Sequence, residues 1–106
     1  MPKYLIEFSY TAEGVKGLLK EGGTARREET TRLVESVGGT VEAYYFTFGR
    51  GDGIILADIP DQAGAAAASL TGSATGAVRV RTTVLITPEE MDEAARKKTE
   101  FRAPGA

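Results

Sequence analysis

The chain has 106 residues, 42% of them hydrophobic and 26% charged, with a net charge of −2 at pH 7 and neither cysteine nor histidine. Without cysteine there is no disulfide, thiol nucleophile or thiolate metal site, and without histidine the commonest neutral-pH base and transition-metal ligand is gone. Zinc, haem-histidine and Ser-His-Asp chemistries are thereby excluded together, and a net charge this close to zero gives no reason to expect a polyanionic partner.

The first element is "KYLIEFSY" (3–10), where Tyr4, Ile6, Phe8 and Tyr10 alternate with Leu5, Glu7 and Ser9 at the period of a strand. Its charge and alternation are unlike a signal peptide, and no apolar run reaches about 18 residues, so a cytoplasmic chain with no membrane partner is expected. "TAEGVKGLLKEGG" offers Thr11 as a cap and Val15, Leu18 and Leu19 at helical spacing; its glycines weaken the helix, which should end at Gly22 and Gly23. From Thr24 to Val37 a second helix carries Leu33, Val34 and Val37 as an apolar stripe, read as lying opposite Arg26, Glu29 and Glu35, with Gly38 and Gly39 as its stop.

"TVEAYYFTFG" (40–49) and "DGIILADI" (52–59) are strand-like and should pair as a hairpin, with Gly49, Arg50, Gly51, Asp52 and Gly53 forming the turn. Pro60 and Asp61 then open an alanine-rich helix suited to close packing on a sheet, and Gly72 to Gly76 reads as a loop. "AVRVRTTVLI" (77–86) is the last strand. A final helix follows, with Thr87 as cap, Pro88 at its first position and Glu90 completing a capping box. Residues 1–98 are expected to form one domain, and 99–106 a flexible tail.

The order β-α-β-β-α-β plus a C-terminal helix predicts an α+β, ferredoxin-like fold, with a four-stranded antiparallel sheet and its helices on one face. If Tyr4, Ile6, Phe8, Ile55, Ala57, Val78 and Val80 point at the helices, the other face is expected to hold Leu5, Glu7, Ser9, Tyr44, Phe46, Phe48, Leu56, Arg79, Arg81 and Thr83. A face half aromatic and half charged marks an interface or a groove, and a homodimer closing two such sheets into a dimeric α/β barrel is the leading expectation.

The opening "YLIEFSYTAEGVKGL", the long stretch "ARREETTRLVESVGGTVEAYYFTFGRGDGIILADIPDQAGAAA" and the closing "VRVRTTVLITPEEM" resemble the GYD domain family of small bacterial proteins, over roughly residues 2–96. The resemblance implies a dimeric α/β barrel of unassigned biochemical function. Asp52 matches the Gly-Tyr-Asp turn for which the family is named. Gly51 stands where the tyrosine would be, so no role of that tyrosine is carried over to this chain. Related barrels include cofactor-independent monooxygenases, isomerases and cyclases, an analogy at the level of fold.

Asp52 reads first as a hydrogen-bonding turn residue. Glu7 with Arg79 or Arg81 is the sharper pair, since a guanidinium binds carboxylates bidentately and a partly buried glutamate can be tuned toward a general base; the plainer reading is a salt bridge between subunits. Glu7, Tyr44, Arg79 and Arg81 are therefore the candidate ligand-binding residues, with Glu7 the candidate catalytic one. Arg26, Arg27, Arg96, Lys97 and Lys98 read as solvated helix faces. Three classes follow: a homodimeric small-molecule-binding or accessory protein, a cofactor-independent enzyme, and a nucleic-acid or regulatory module. The last is disfavoured because "DGIILADI" lacks the aromatic and basic residues of RNA-binding sheets. No metal or cofactor is expected.

Overall fold

A computed structural model describes residues 1–106. The first strand, β1, spans Lys3–Tyr10, and its even-numbered residues Tyr4, Ile6 and Phe8 are buried while Lys3, Leu5, Glu7 and Ser9 are only half-buried. That alternation sets the two faces of the whole sheet. The other strands are β2 (Thr40–Phe46), β3 (Gly53–Asp58) and β4 (Val78–Leu85), and the helices are α1 (Ala12–Glu21), α2 (Gly23–Ser36), α3 (Gln62–Ala74) and α4 (Pro88–Arg96). The sheet order is β2-β3-β1-β4 with every pair antiparallel, which is the ferredoxin-like arrangement expected from the element order.

Local chemistry accounts for the boundaries. Thr11 accepts from the Gly14 backbone N–H to start α1, and Asp61 accepts from that of Gly64 to start α3. At the end of α2, Gly38 adopts a φ of +85°, and the Gly38 and Gly39 N–H groups donate to the carbonyls of Glu35 and Val34. Thr87 and Glu90 form the expected capping box of α4. One boundary differs from expectation: the stretch read as a loop from Gly72 begins as helix, because α3 runs on to Ala74 and Gly72 is part of its last turn.

The core lies between the sheet and the helices and is built on Tyr4, Ile6, Phe8, Ile55, Ala57 and Ile59, with Val34 and Ala65 supplied by α2 and α3. Phe8 is its aromatic centre, with the rings of Tyr10, Tyr44 and Phe46 at 5.4, 5.6 and 6.2 Å. Tyr44 and Phe46 therefore sit on the helix side, contrary to the face expected for them. A β-bulge causes the difference. The pairing of β2 with β3 shifts between Val41 and Ala43, so Glu42 is an extra residue, and the parity of everything after it is reversed. Val41 faces the core opposite Ala57, and Tyr44 does so as well, opposite Ile55. Phe48 lies beyond β2, fully exposed in the hairpin loop.

The bare face carries Leu5, Glu7, Leu56, Arg79, Arg81 and Thr83 as expected, with Ile54 and Tyr45 added by the observed register. No element of the chain covers it. No helix is long and apolar enough to cross a membrane.

Candidate functional site

A cavity of about 360 Å³ opens between the sheet and the helices. It exists because α2 lies over β2 and α3 over β4, which leaves the central strands β1 and β3 beneath a gap. Small residues on α3 (Ala68, Ser69, Gly72) do not reach across that gap. Nor does the first half of α2 fill it with apolar bulk. Counting back from Val37, Val34 and Leu33 at helical spacing gives Thr30, Glu29 and Arg26, and these three line the cavity with Leu33 and Val34. Arg26 and Glu29 thus share the face of the apolar stripe rather than opposing it, which corrects the reading of Arg26 as a solvated residue.

The result is a pocket with an apolar floor and a polar wall. Ile6, Phe8, Ile55 and Val80 form the floor, while Tyr10, Tyr44, Arg26 and Thr30 stand together at one end. Burial, reinforced by the neighbouring Tyr10, pushes the Tyr44 hydroxyl up to about 12, although Thr30 and the Arg26 charge pull the other way. Tyr44 is therefore a phenol at any physiological pH, a donor and not a base. Burial works against the charge on Arg26, but the Glu21 carboxylate, 3.2 Å from its Nη1, outweighs this and the guanidinium pKa is raised. The permanent positive charge at the wall is thus already paired, and the open hydrogen-bonding capacity of this end lies largely in neutral hydroxyls. On the opposite wall, the Ser69 and Thr82 hydroxyls bond to each other at 2.7 Å.

A second, shallower groove of about 170 Å³ lies on the bare face, lined by Glu7, Ser9, Arg50, Gly51, Arg79 and Arg81. Here three of the sequence-derived candidates come together. Glu7 and Arg81 are directly opposed on β1 and β4, with Arg81 Nε 3.7 Å from Glu7 Oε1, so the ion pair forms within one chain. Arg79 follows two residues further along on the same face, opposite Ser9. Tyr44 is not with them: it stands on the far side of the sheet, in the larger cavity.

The turn of the β2-β3 hairpin is accounted for by backbone geometry. Gly49 and Gly51 have φ of +125° and +75°, where L side chains are strained. Asp52 ties this turn to the sheet. Its N–H donates to the Phe8 carbonyl at 2.9 Å, its carbonyl accepts from the Thr47 N–H at 2.9 Å, and its carboxylate accepts from the Tyr10 N–H at 2.7 Å. Three bonds of this kind make Asp52 a clasp between the hairpin and the end of β1.

The sequence model of the GYD domain family matches residues 4–95, from the first strand through the last helix. The chain belongs to the GYD domain family. No curated protein and no solved structure matches it. In this GYD-domain chain Asp52 has the clasp role just described, and the left-handed backbone at position 51 suits a glycine. No three acidic side chains converge into a metal-ligand set. The helix-side cavity was missed in the sequence because it arises from small and polar residues at core-facing positions. The signal was there in the spacing of Arg26, Glu29 and Thr30 with Leu33 and Val34.

Proposed function

We propose that this GYD-domain protein is a small-molecule-binding or accessory protein that takes a compact, largely apolar ligand into the cavity between the sheet and the helices, and that it works in the cytoplasm as a homodimer joined through its bare face. The observation that carries the reading is the cavity itself. Its 360 Å³ falls within the roughly 300–1,000 Å³ range of ligand sites, and it has the usual make-up of an apolar lining with few convergent polar groups. A fold of this size ordinarily fills such a space with side chains.

The wall chemistry narrows the ligand. Tyr44 stays protonated and Arg26 is held by Glu21, so the site favours a neutral, flat molecule with a hydroxyl or carbonyl at one end over a strong anion. An aromatic ligand also suits the rings of Phe8, Tyr10 and Tyr44. Catalysis by Glu7, Tyr44 and the arginines acting together loses its basis, because Glu7 and Tyr44 lie on opposite faces of the sheet. Homodimer formation is supported by the half-exposed Leu5, Ile54 and Leu56 and the exposed Tyr45, which share a face that no element of the chain covers.

The test is calorimetric titration with 1-naphthol, a neutral fused-ring phenol. Binding is expected in the unmodified protein and is expected to fall at least about tenfold when Ala68→Phe or Gly72→Val fills the cavity, a loss of roughly 1.4 kcal/mol. Undiminished binding in both filled variants, with circular dichroism unchanged, would place the ligand elsewhere and defeat the proposal.

A further inference from the structure

Every residue from Ile86 to Ala106 is exposed, although the segment contains the formed helix α4. The chain is correspondingly extended: its radius of gyration is 17.0 Å with principal extents of 57 × 32 × 23 Å, whereas a compact domain of this length has a radius of about 13 Å. A nine-residue helix standing free in water is marginal even with a capping box. One side of α4 presents Pro88, Met91 and Ala95 at helical spacing, and Met91 and the preceding Ile86 are each more than half exposed. The other side presents Glu89, Glu90, Asp92 and Glu93, net acidic although Arg96 joins them in the last turn.

The bare face has the complementary character. Leu5, Ile54 and Leu56 give it an apolar centre, and at one end Arg50, Arg79 and Arg81 stand around the single carboxylate of Glu7. Its other end is already neutralised, since Lys3 is held by Asp58 at 3.1 Å and by Glu42. We propose that α4 of each chain docks on the bare face of a second copy, its Met91 side over the apolar centre and its acidic side toward Arg50, Arg79 and Arg81. This inference rests on the homodimer reading given above.

Geometry favours the second copy over the chain's own groove. The arm leaves β4 at Leu85, which pairs with Lys3, at the far end of the sheet from Arg79, which pairs with Ser9. Six strand residues separate Leu85 from Arg79, roughly 20 Å, and only Ile86 and an extended Thr87 precede the helix. In a two-fold dimer whose β4 strands run antiparallel across the interface, the Leu85 end of one copy lies over the Arg79 end of the other. Each acidic arm then meets a basic groove, and both contacts form at once.

The absence of native cysteine allows a direct test. Glu93→Cys and Arg81→Cys chains are refolded together and oxidised with oxidised glutathione, which is reduced as the disulfide forms; mass is read by light scattering and by non-reducing electrophoresis. The expected result is a two-chain particle with a covalent heterodimer, formed in roughly tenfold higher yield than with Glu93→Cys and Lys16→Cys, because docking raises the effective thiol concentration. A two-chain particle without that cross-link overturns the arm contact and leaves the homodimer standing. A single-chain particle overturns both. If the double variant Glu93→Cys/Arg81→Cys loses its thiols with no gain in mass, the arm folds back on its own sheet and the exchange is wrong.

Discussion

Ile54 and Ile55 are neighbours in β3, yet Ile54 is half exposed on the bare face whereas Ile55 is buried beneath the helices. The contrast extends across the sheet. On the helix side, Tyr4, Ile6, Phe8 and Ala57 are closed over by Val34 and Ala65, and the space left over the central strands becomes a cavity because α3 offers small residues. On the bare side, Leu5 stands directly opposite Leu56 with Ile54 beside it, so a small apolar centre borders Glu7, Arg79 and Arg81, and nothing in the chain covers it. One face encloses a cavity, and the other leaves apolar and charged side chains uncovered. A sheet of four strands with two covering helices leaves one face over, and in this chain the two faces have diverged in chemistry as well as in burial.

The largest effect that can break this contrast is a pair of truncations. Phe8→Ala removes the ring against which Tyr10, Tyr44 and Phe46 pack, and should cost about 3–5 kcal/mol in denaturant unfolding. Leu56→Ala, on the bare face, should cost about 1 kcal/mol at concentrations where the protein is monomeric, because less apolar area is lost. Equal costs would mean that the two faces are equally buried. Next in size is Asp52→Ala, which releases the clasp between the hairpin and Tyr10; a loss of about 1–2 kcal/mol is expected with the 1-naphthol affinity unchanged. A large fall in affinity at unchanged stability would give Asp52 a binding role instead.

The smallest effect is a titration. The Tyr44 hydroxyl is pushed up to about 12 from its ordinary value of 10.0, so the folded state keeps its proton where the unfolded chain has begun to lose it. Its stabilising contribution is complete below pH 10 and declines as pH rises toward about 12, and near-ultraviolet absorbance should show a tyrosine ionisation step near pH 12. Tyr44→Phe should remove both that late step and the accompanying part of the alkaline loss of stability. If the late step persists in the variant, the shifted phenol is another residue.

Much of the architecture is legible in the sequence because it is local. Period-two alternation in residues 3–10 and 77–86, the caps at Thr11 and Thr87 and the Gly38-Gly39 stop are all decided by residues within a few positions of one another. What is not legible depends on partners elsewhere in the chain. The bulge at Glu42 has no glycine to announce it; it shows only when β2 is laid against β3, and it carries Tyr44 and Phe46 to the other side. Arg26 and Glu29 look solvated when judged by charge, although their spacing with Val34 places them at the cavity. The run Ala65, Ala68, Ser69, Gly72 suggests close packing, and only the lateral placement of α2 and α3 over the outer strands turns those small residues into empty space.

The most direct test of the division between the faces is to follow the isoleucine and leucine methyl resonances by NMR while titrating 1-naphthol. The Ile6 and Ile55 methyl groups should shift with saturation while Ile54, adjacent in sequence and on the opposite face, stays in place. Shifts at Ile54 together with Leu5 and Leu56, and none at Ile6 or Ile55, would put the ligand on the bare face beside Glu7, Arg79 and Arg81 and contradict the assignment of the cavity as the binding site.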